Sequence, residues 1–168
     1  MLKNLLLYRF ILFNTGCAAL MAWFASKGWL TMVAAADPTG ISWGIVALFA
    51  LTGVGTSIQA WKINREKDGK SQPTDPKVRE GKLKRIERAG DSMALLGLIG
   101  TIVGFIIAFA TSNPAALLSA TEVGTGVAVM MKGMGVALYT TLTGAVLGGW
   151  TGENYHMLKE QADLLDRE

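Results

Sequence analysis

The chain has 168 residues, of which 51% are hydrophobic and only 17% charged, with a formal net charge of +3 and a mean hydropathy of +0.35. About a quarter of the residues of a soluble domain are charged, so this balance excludes ordinary aqueous folding and makes lipid the solvent of most of the chain. One Cys and one His exclude an intrachain disulfide and a Cys/His metal site, and no nucleophile with its base or phosphate-binding loop can be assembled, which excludes an enzyme.

Crossing a bilayer takes about 20 mostly apolar residues, and four stretches reach that length. The first runs from about Phe10 to Val33. Lys3 and Arg9 precede it in the manner of a signal peptide, but the apolar run outlasts an h-region of roughly 7–15 residues. A tight Asp37-Pro38-Thr39-Gly40 turn then leads to a second stretch, Ile41 to Trp61, so residues 1–61 are expected to form a transmembrane hairpin. Cys17 lies inside the first stretch and is expected to pack there.

Residues 62–89 follow as a basic loop. Lys62, Arg65, Lys67, Lys70, Lys77, Arg79, Lys82, Lys84, Arg85 and Arg88 all fall here, whereas Ala34 to Ser42 contains no Lys or Arg. By the positive-inside rule the loop is cytosolic, and four crossings put both termini on the same side. The positive charge is read as this topology bias rather than as a nucleic-acid surface. Trp29 and Trp43 then mark outer span ends, and Trp61 and Trp150 inner ones. Pro73-Thr74-Asp75-Pro76 divides the loop into a polar, irregular half and a helical extension. Asp75 and Pro76 suit the N-cap and N1 positions, and Val78, Leu83 and Ile86 give the extension its apolar residues.

The third stretch, Gly90 to Ala110, and the fourth, about Gly124 to Trp150, make 90–152 a second hairpin, while residues 153–168 form a helical tail with Tyr155, Leu158, Ala162 and Leu165 at helical spacing. The two cytosolic extensions are expected to pack together. On the third stretch Gly97, Thr101, Gly104 and Ala108 share one face, and Gly100 with Gly104 forms a GxxxG contact. On the fourth, Ala137, Thr141, Gly144 and Gly148 repeat the same offsets. Counted from Gly90 and Trp150 at about 1.5 Å per residue, Thr101 lies roughly 16 Å deep and Thr141 roughly 14 Å deep. Two hydroxyls at one level can line a narrow polar path, or each can bond its own i−4 carbonyl and act as packing. Thr140 and Thr143 lie off the Thr141 direction. Lys132 is expected to snorkel to the outer surface, the alternative being that it repels cations at the entrance of a path. No Asp, Glu or His occurs from Ser92 to Thr121 or from Val123 to Gly152, so the chain has no intramembrane carboxylate of its own there and would supply only the wall of a path.

Leu98-Ile99-Gly100-Thr101-Ile102-Val103-Gly104, followed by Gly135-Val136-Ala137-Leu138-Tyr139-Thr140-Thr141-Leu142-Thr143-Gly144-Ala145-Val146-Leu147, resembles the paired-helix signature of the MotA/TolQ/ExbB family of bacterial inner-membrane, ion-driven motor subunits. The likeness covers about Asp91 to Gly149. It is greatest to the flagellar stator branch, whose large cytosolic region is reduced here to residues 62–89; ExbB-like members carry a glutamate where Val136 stands. The resemblance implies an all-α, four-span subunit of a homo-oligomer, a pentamer, in which the last two helices form the pore-side layer around a single-span MotB-, TolR- or ExbD-like partner with an intramembrane Asp. Thr101 and Thr141, with Thr140 as a secondary candidate, would line an H+ or Na+ path beside that Asp. Gly97, Gly100, Gly104, Ala137, Gly144 and Gly148 would pack the helices, and Lys82, Arg85 and Arg88 would meet a partner in the cytosol. No cofactor is expected. The residues alone also admit a self-contained, holin-like pore former or a structural membrane scaffold, in which the threonines only hold helices together.

Overall fold

The computed structural model describes residues 5–28, 31, 35, 37, 39–111 and 123–167. These form four α-helices in chain order: α1 (Leu5–Ser26), α2 (Ile41–Lys67), α3 (Pro76–Thr111) and α4 (Val123–Leu165). With 36 and 43 residues, α3 and α4 extend over roughly 54 and 65 Å at 1.5 Å per residue. Both exceed a hydrocarbon layer of about 30 Å, and their charge-rich ends pack together as a helix pair.

Three helices contain stretches long and apolar enough to cross a bilayer: Leu7–Ser26, Ile41–Lys67 and Pro76–Ala110. The described part of α4 falls short of that apolarity because eight glycines, five threonines and Lys132 dilute its Val, Leu and Met. Only 6% of the α1 stretch is buried within the chain, against 28% of the α3 stretch, so α1 is the outermost helix and α3 an inner one.

Several boundaries depart from those expected. α1 begins at Leu5 and stops at Ser26 rather than near Val33. The Lys27 amide bonds back to the Trp23 and Phe24 carbonyls at 3.2 and 3.1 Å, and Gly28 then turns left-handed at φ 81°, a conformation that stops an α-helix at little cost only when glycine holds it. Trp29 lies outside the described residues. α2 continues past Trp61 to Lys67, so the half of the loop expected to be irregular is largely helix. Its end is a Schellman motif: Lys70 N–H bonds to Arg65 O at 2.9 Å and Gly69 N–H to Glu66 O at 2.9 Å, with Gly69 at φ 68° in the left-handed C′ position.

At the start of α2, Gly40 occupies the left-handed region and provides no side-chain cap. Asp37 does that work from three residues upstream. One carboxylate oxygen accepts from Ser42 N–H at 2.7 Å and the other from Thr39 N–H at 3.0 Å and from the Thr39 hydroxyl. Asp75 caps α3 as expected, its carboxylate accepting from Lys77 N–H at 2.9 Å.

Two regimes hold the helices together. Outside the bilayer, Ile63, Leu83, Ile86, Tyr155, Leu158 and Ala162 form one cluster, with Leu158 fully buried. Burying a side chain of this size from water is worth about 1.5–3 kcal/mol, so the two extensions pack by ordinary hydrophobic burial. Val78, expected among their apolar residues, is instead 49% exposed. Within the bilayer, lipid is as apolar as leucine and association depends on close van der Waals contact between small residues. There a smaller core of Ile45, Met93 and Leu147 is fringed by Met21, Phe49, Leu96 and Trp150.

Candidate functional site

The α3–α4 seam is built from residues too small to keep two antiparallel backbones apart. A Cβ on Gly104 would lie 2.6 Å from Ala137 N, one on Gly144 2.6 Å from Met93 O, and one on Gly148 2.8 Å from Gly90 O. Gly97 lies against the Thr140 carbonyl and the Gly144 backbone, Gly100 against the Thr140 side chain and Gly133 against Ala108. All six packing residues expected from the sequence therefore lie in this seam. Gly90 and Gly133 extend it at either end, and carrying the same four-and-three spacing two turns back from Gly97 and one turn back from Ala137 would have found them.

Thr101 and Thr141 meet at the edge of this seam. Their hydroxyls are hydrogen-bonded to each other. Each hydroxyl also approaches two carbonyls: Thr101 Oγ1 lies 3.1 Å from Gly97 O and 3.4 Å from Ala137 O, and Thr141 Oγ1 lies 2.8 Å from Ala137 O and 3.5 Å from Gly97 O. Back-bonding and pairing, which were alternatives in the sequence, thus coexist. The result is a near-symmetric cluster of two hydroxyls and two carbonyls. Helical geometry explains why it stays accessible. Gly97, Gly104, Ala137 and Gly144, on one side of the threonines, are buried in the seam, whereas Leu98, Phe105, Leu138 and Ala145, on the other, are exposed. Thr141 is itself exposed and Thr101 half-buried.

Thr140 is placed differently. It is fully buried, and its hydroxyl donates to Val136 O at 2.9 Å and Ala137 O at 3.1 Å. Thr143 is also buried and bonds Tyr139 O at 2.8 Å. Val136, at the position where ExbB-like members carry a glutamate, is buried too. Lys132 is exposed near the start of α4. Among the described residues no group of three or more His, Cys, Asp and Glu is placed to hold a metal ion.

The first helix makes polar contacts with α4. Asn14 on α1 exchanges amide hydrogen bonds with Asn154 on α4 at 2.8 and 3.1 Å, and the Trp150 indole N–H donates to Asn14 Oδ1 at 2.8 Å. Trp150 also packs on Phe49, with ring centroids 4.9 Å apart. It is an interhelical contact rather than a simple interfacial anchor. Trp61 and Trp43 are exposed as an aromatic belt requires, and the Arg65 guanidinium sits 4.7 Å over the Trp61 ring. Asn14 was legible as an amide in an apolar helix; its partner was not.

The charged ends are tied by a second network with no local sequence signal. Arg79 donates to Glu66 Oε2 at 3.1 Å, to Asp166 Oδ1 at 2.6 Å and to Thr74 O at 3.3 Å, and the Thr74 hydroxyl bonds Glu66. The Arg79 and Glu66 side chains are only 7% and 8% exposed, so this ion pair is sheltered from solvent and closes the ends of α2, α3 and α4 together. Of the basic residues expected to meet a partner, Arg85 and Arg88 are exposed and Lys82 is half-buried.

Residues 62–166 match the model of the MotA/TolQ/ExbB proton channel family. The chain belongs to this family. The match covers the charged extensions of α3 and α4 as well as their paired apolar parts, beyond the part whose motifs carried the resemblance. No match was found among curated proteins or among solved structures. A MotA/TolQ/ExbB protein is a channel protein and not an enzyme; membership implies a multi-pass ion-channel subunit of a motor or energy-transducing complex, working with a MotB-, TolR- or ExbD-like subunit.

Proposed function

We propose that this chain is the wall subunit of an ion-motive-force-driven membrane motor, in which Thr101 and Thr141 line an H+ or Na+ path beside an aspartate supplied by a single-span partner. The observation that carries this reading is the paired hydroxyl cluster at the open edge of the α3–α4 seam. Hydroxyl and carbonyl oxygens can replace part of an ion's hydration shell or hold a water in its route. No Asp, Glu or His stands between Ser92 and Thr121 or between Val123 and Gly152, so the charge-accepting group has to come from another chain.

In this reading α4 crosses the membrane despite its modest apolarity, because Gly133, Gly144 and Gly148 face α3 and Thr141 faces the path rather than lipid. Four crossings place both termini and the charged helical ends in the cytosol of a bacterium. Several copies, five by analogy with the family, surround the partner with α3 and α4 innermost. The exposed Leu98, Ile102, Leu138 and Leu142 flank the threonines and support a protein cover on this face. With only residues 62–89 between the second and third apolar stretches, the subunit suits a machine of the cell envelope better than a flagellar rotor. Each ion passing down a potential of 100 mV releases about 2.3 kcal/mol per charge, enough to bias one step of rotation.

Purifying the chain together with the product of its neighbouring gene and counting subunits tests the reading. A homo-oligomer around a single-span, Asp-bearing partner is expected, with flux in opposing Na+ and H+ gradients naming the ion. A monomer or dimer that permeabilises membranes unaided would instead identify a self-contained pore former.

A further inference from the structure

A cleft of about 430 Å³ opens between α2 and α3 where both helices leave the membrane, away from the threonine cluster. Its deeper wall is formed by Leu51, Thr52, Gly55, Ile86 and Ala89, the Thr52 hydroxyl being turned to Leu48 O at 2.7 Å, and its rim carries Gln59, Lys82 and Arg85. From Gln59 down to Leu51 the wall descends roughly 12 Å along α2. A Cβ added to Gly55 would meet nothing within 4 Å, so the missing side chain leaves the cleft open rather than bringing helices together.

The charges at the rim are unspent. Arg79 is held by Glu66 and Asp166, Lys84 by Glu80 and Lys70 by Asp68. Among the described residues Lys82 and Arg85 have neither an ion pair nor a side-chain hydrogen bond, although Lys82 is half-buried. Two unpaired cations and a free amide above an apolar wall are complementary to a molecule with an anionic head and a hydrocarbon tail. Basic pockets of this kind at the cytoplasmic edge of membrane helices hold anionic lipid headgroups, and the alkyl stems of Lys and Arg can lie along the acyl chain below.

We propose that this cleft binds an anionic phospholipid, with the phosphate between Lys82 and Arg85 and one acyl chain against Leu51, Gly55 and Ala89. A soluble anion would make no use of the apolar depth. A zwitterionic lipid brings its own ammonium beside the phosphate and would leave the net positive charge of the rim undiminished. The lipid would fasten the base of α3 to α2, beside the α3–α4 seam.

The test uses the full chain in its purified assembly, stripped of lipid and titrated with fluorescent phosphatidylglycerol or phosphatidylcholine in detergent. Wild type is expected to prefer phosphatidylglycerol. Lys82→Gln with Arg85→Gln should weaken phosphatidylglycerol binding by roughly 30-fold, the effect of two basic contacts. Gly55→Leu, which fills the cleft without changing charge, should abolish binding, whereas Lys84→Gln should leave it unchanged. Equal affinity for both lipids in wild type overturns the proposal without reference to any variant's folding. So does competition by inorganic phosphate, which would identify a free-anion site. Quantitative crosslinking of Arg85→Cys to a second chain in a phosphatidylglycerol bilayer would also overturn it, by showing that protein covers the cleft.

Discussion

Thr101 and Thr141, 40 residues apart in the chain, hydrogen-bond hydroxyl to hydroxyl across the α3–α4 seam, and each hydroxyl also lies within reach of the carbonyl four residues before the other. The arrangement is close to two-fold symmetric because two antiparallel helices carry the same small–Thr–small spacing. Removing one hydroxyl leaves its partner still bonded to its own i−4 carbonyl, so the helices have little reason to separate. Thr101→Val and Thr141→Val are therefore expected to lower ion flux at least tenfold in proteoliposomes while subunit number and thermal stability stay near wild type. Thr→Ser at either position should retain most of the flux. Unchanged flux in both Val variants would reduce the pair to packing.

Gly104 and Gly135 separate close packing from mere helix composition. A Cβ on Gly104 would lie 2.6 Å from Ala137 N, but one on Gly135 would meet nothing within 4 Å. Gly104→Ala should destabilise the assembly by about 1–3 kcal/mol, the usual range for overpacking. Gly135→Ala should be neutral or slightly stabilising, since alanine favours helix. Thermal melting of both variants in the same detergent checks the contrast.

Asn14 and Asn154 should behave as a coupled pair. Hydrogen bonds between membrane helices average about 0.6 kcal/mol and reach about 1.7 in double-mutant cycles, and the reciprocal amides with the Trp150 donor belong at the upper end of that range. A cycle of Asn14→Leu and Asn154→Leu, read by unfolding in denaturing detergent, is expected to show positive coupling. Additive effects would mean that α1 is held by lipid and shape alone.

Arg79→Gln should loosen the charged ends. Breaking a sheltered ion pair leaves its partner charge uncompensated, at a cost of about 3–5 kcal/mol when fully buried. Asp166 is 33% exposed, which favours the lower end. Faster proteolytic cleavage within residues 68–75, with the membrane core still protected, is the expected readout.

Asp37 gives the turn before α2 a pH dependence of definite sign. Burial pushes its carboxyl up, but hydrogen bonds from Thr39 and the Ser42 amide outweigh that and hold it below its ordinary value of 3.8. A depressed folded pKa contributes stability above the ordinary value and loses it as pH falls through the lower, folded value. Protection of the Ser42 amide from hydrogen exchange should therefore decline below about pH 3.8 in wild type, whereas in Asp37→Asn it should vary little across that window.

The sequence alone determined which stretches prefer lipid, where the charges cluster, and which residues of α3 and α4 are small enough to form a seam. Those properties follow from composition and helical period, and helical period alone put Gly97, Thr101, Ala137 and Thr141 on matching faces. The helix ends were less legible. Gly28 and Gly69 stop helices by taking left-handed backbone, a choice open to any glycine, and the chain offers twenty.

Only the tertiary structure decided which partners meet. Arg79 joins Glu66 and Asp166, Asn14 joins Asn154, and Trp150 turns from the interface to Asn14, because such pairings depend on the rotation and offset of helices distant in sequence. The same offset separates two adjacent threonines: Thr140 points into the seam and is enclosed, while Thr141, about 100° further round the helix, reaches its open edge beside Thr101.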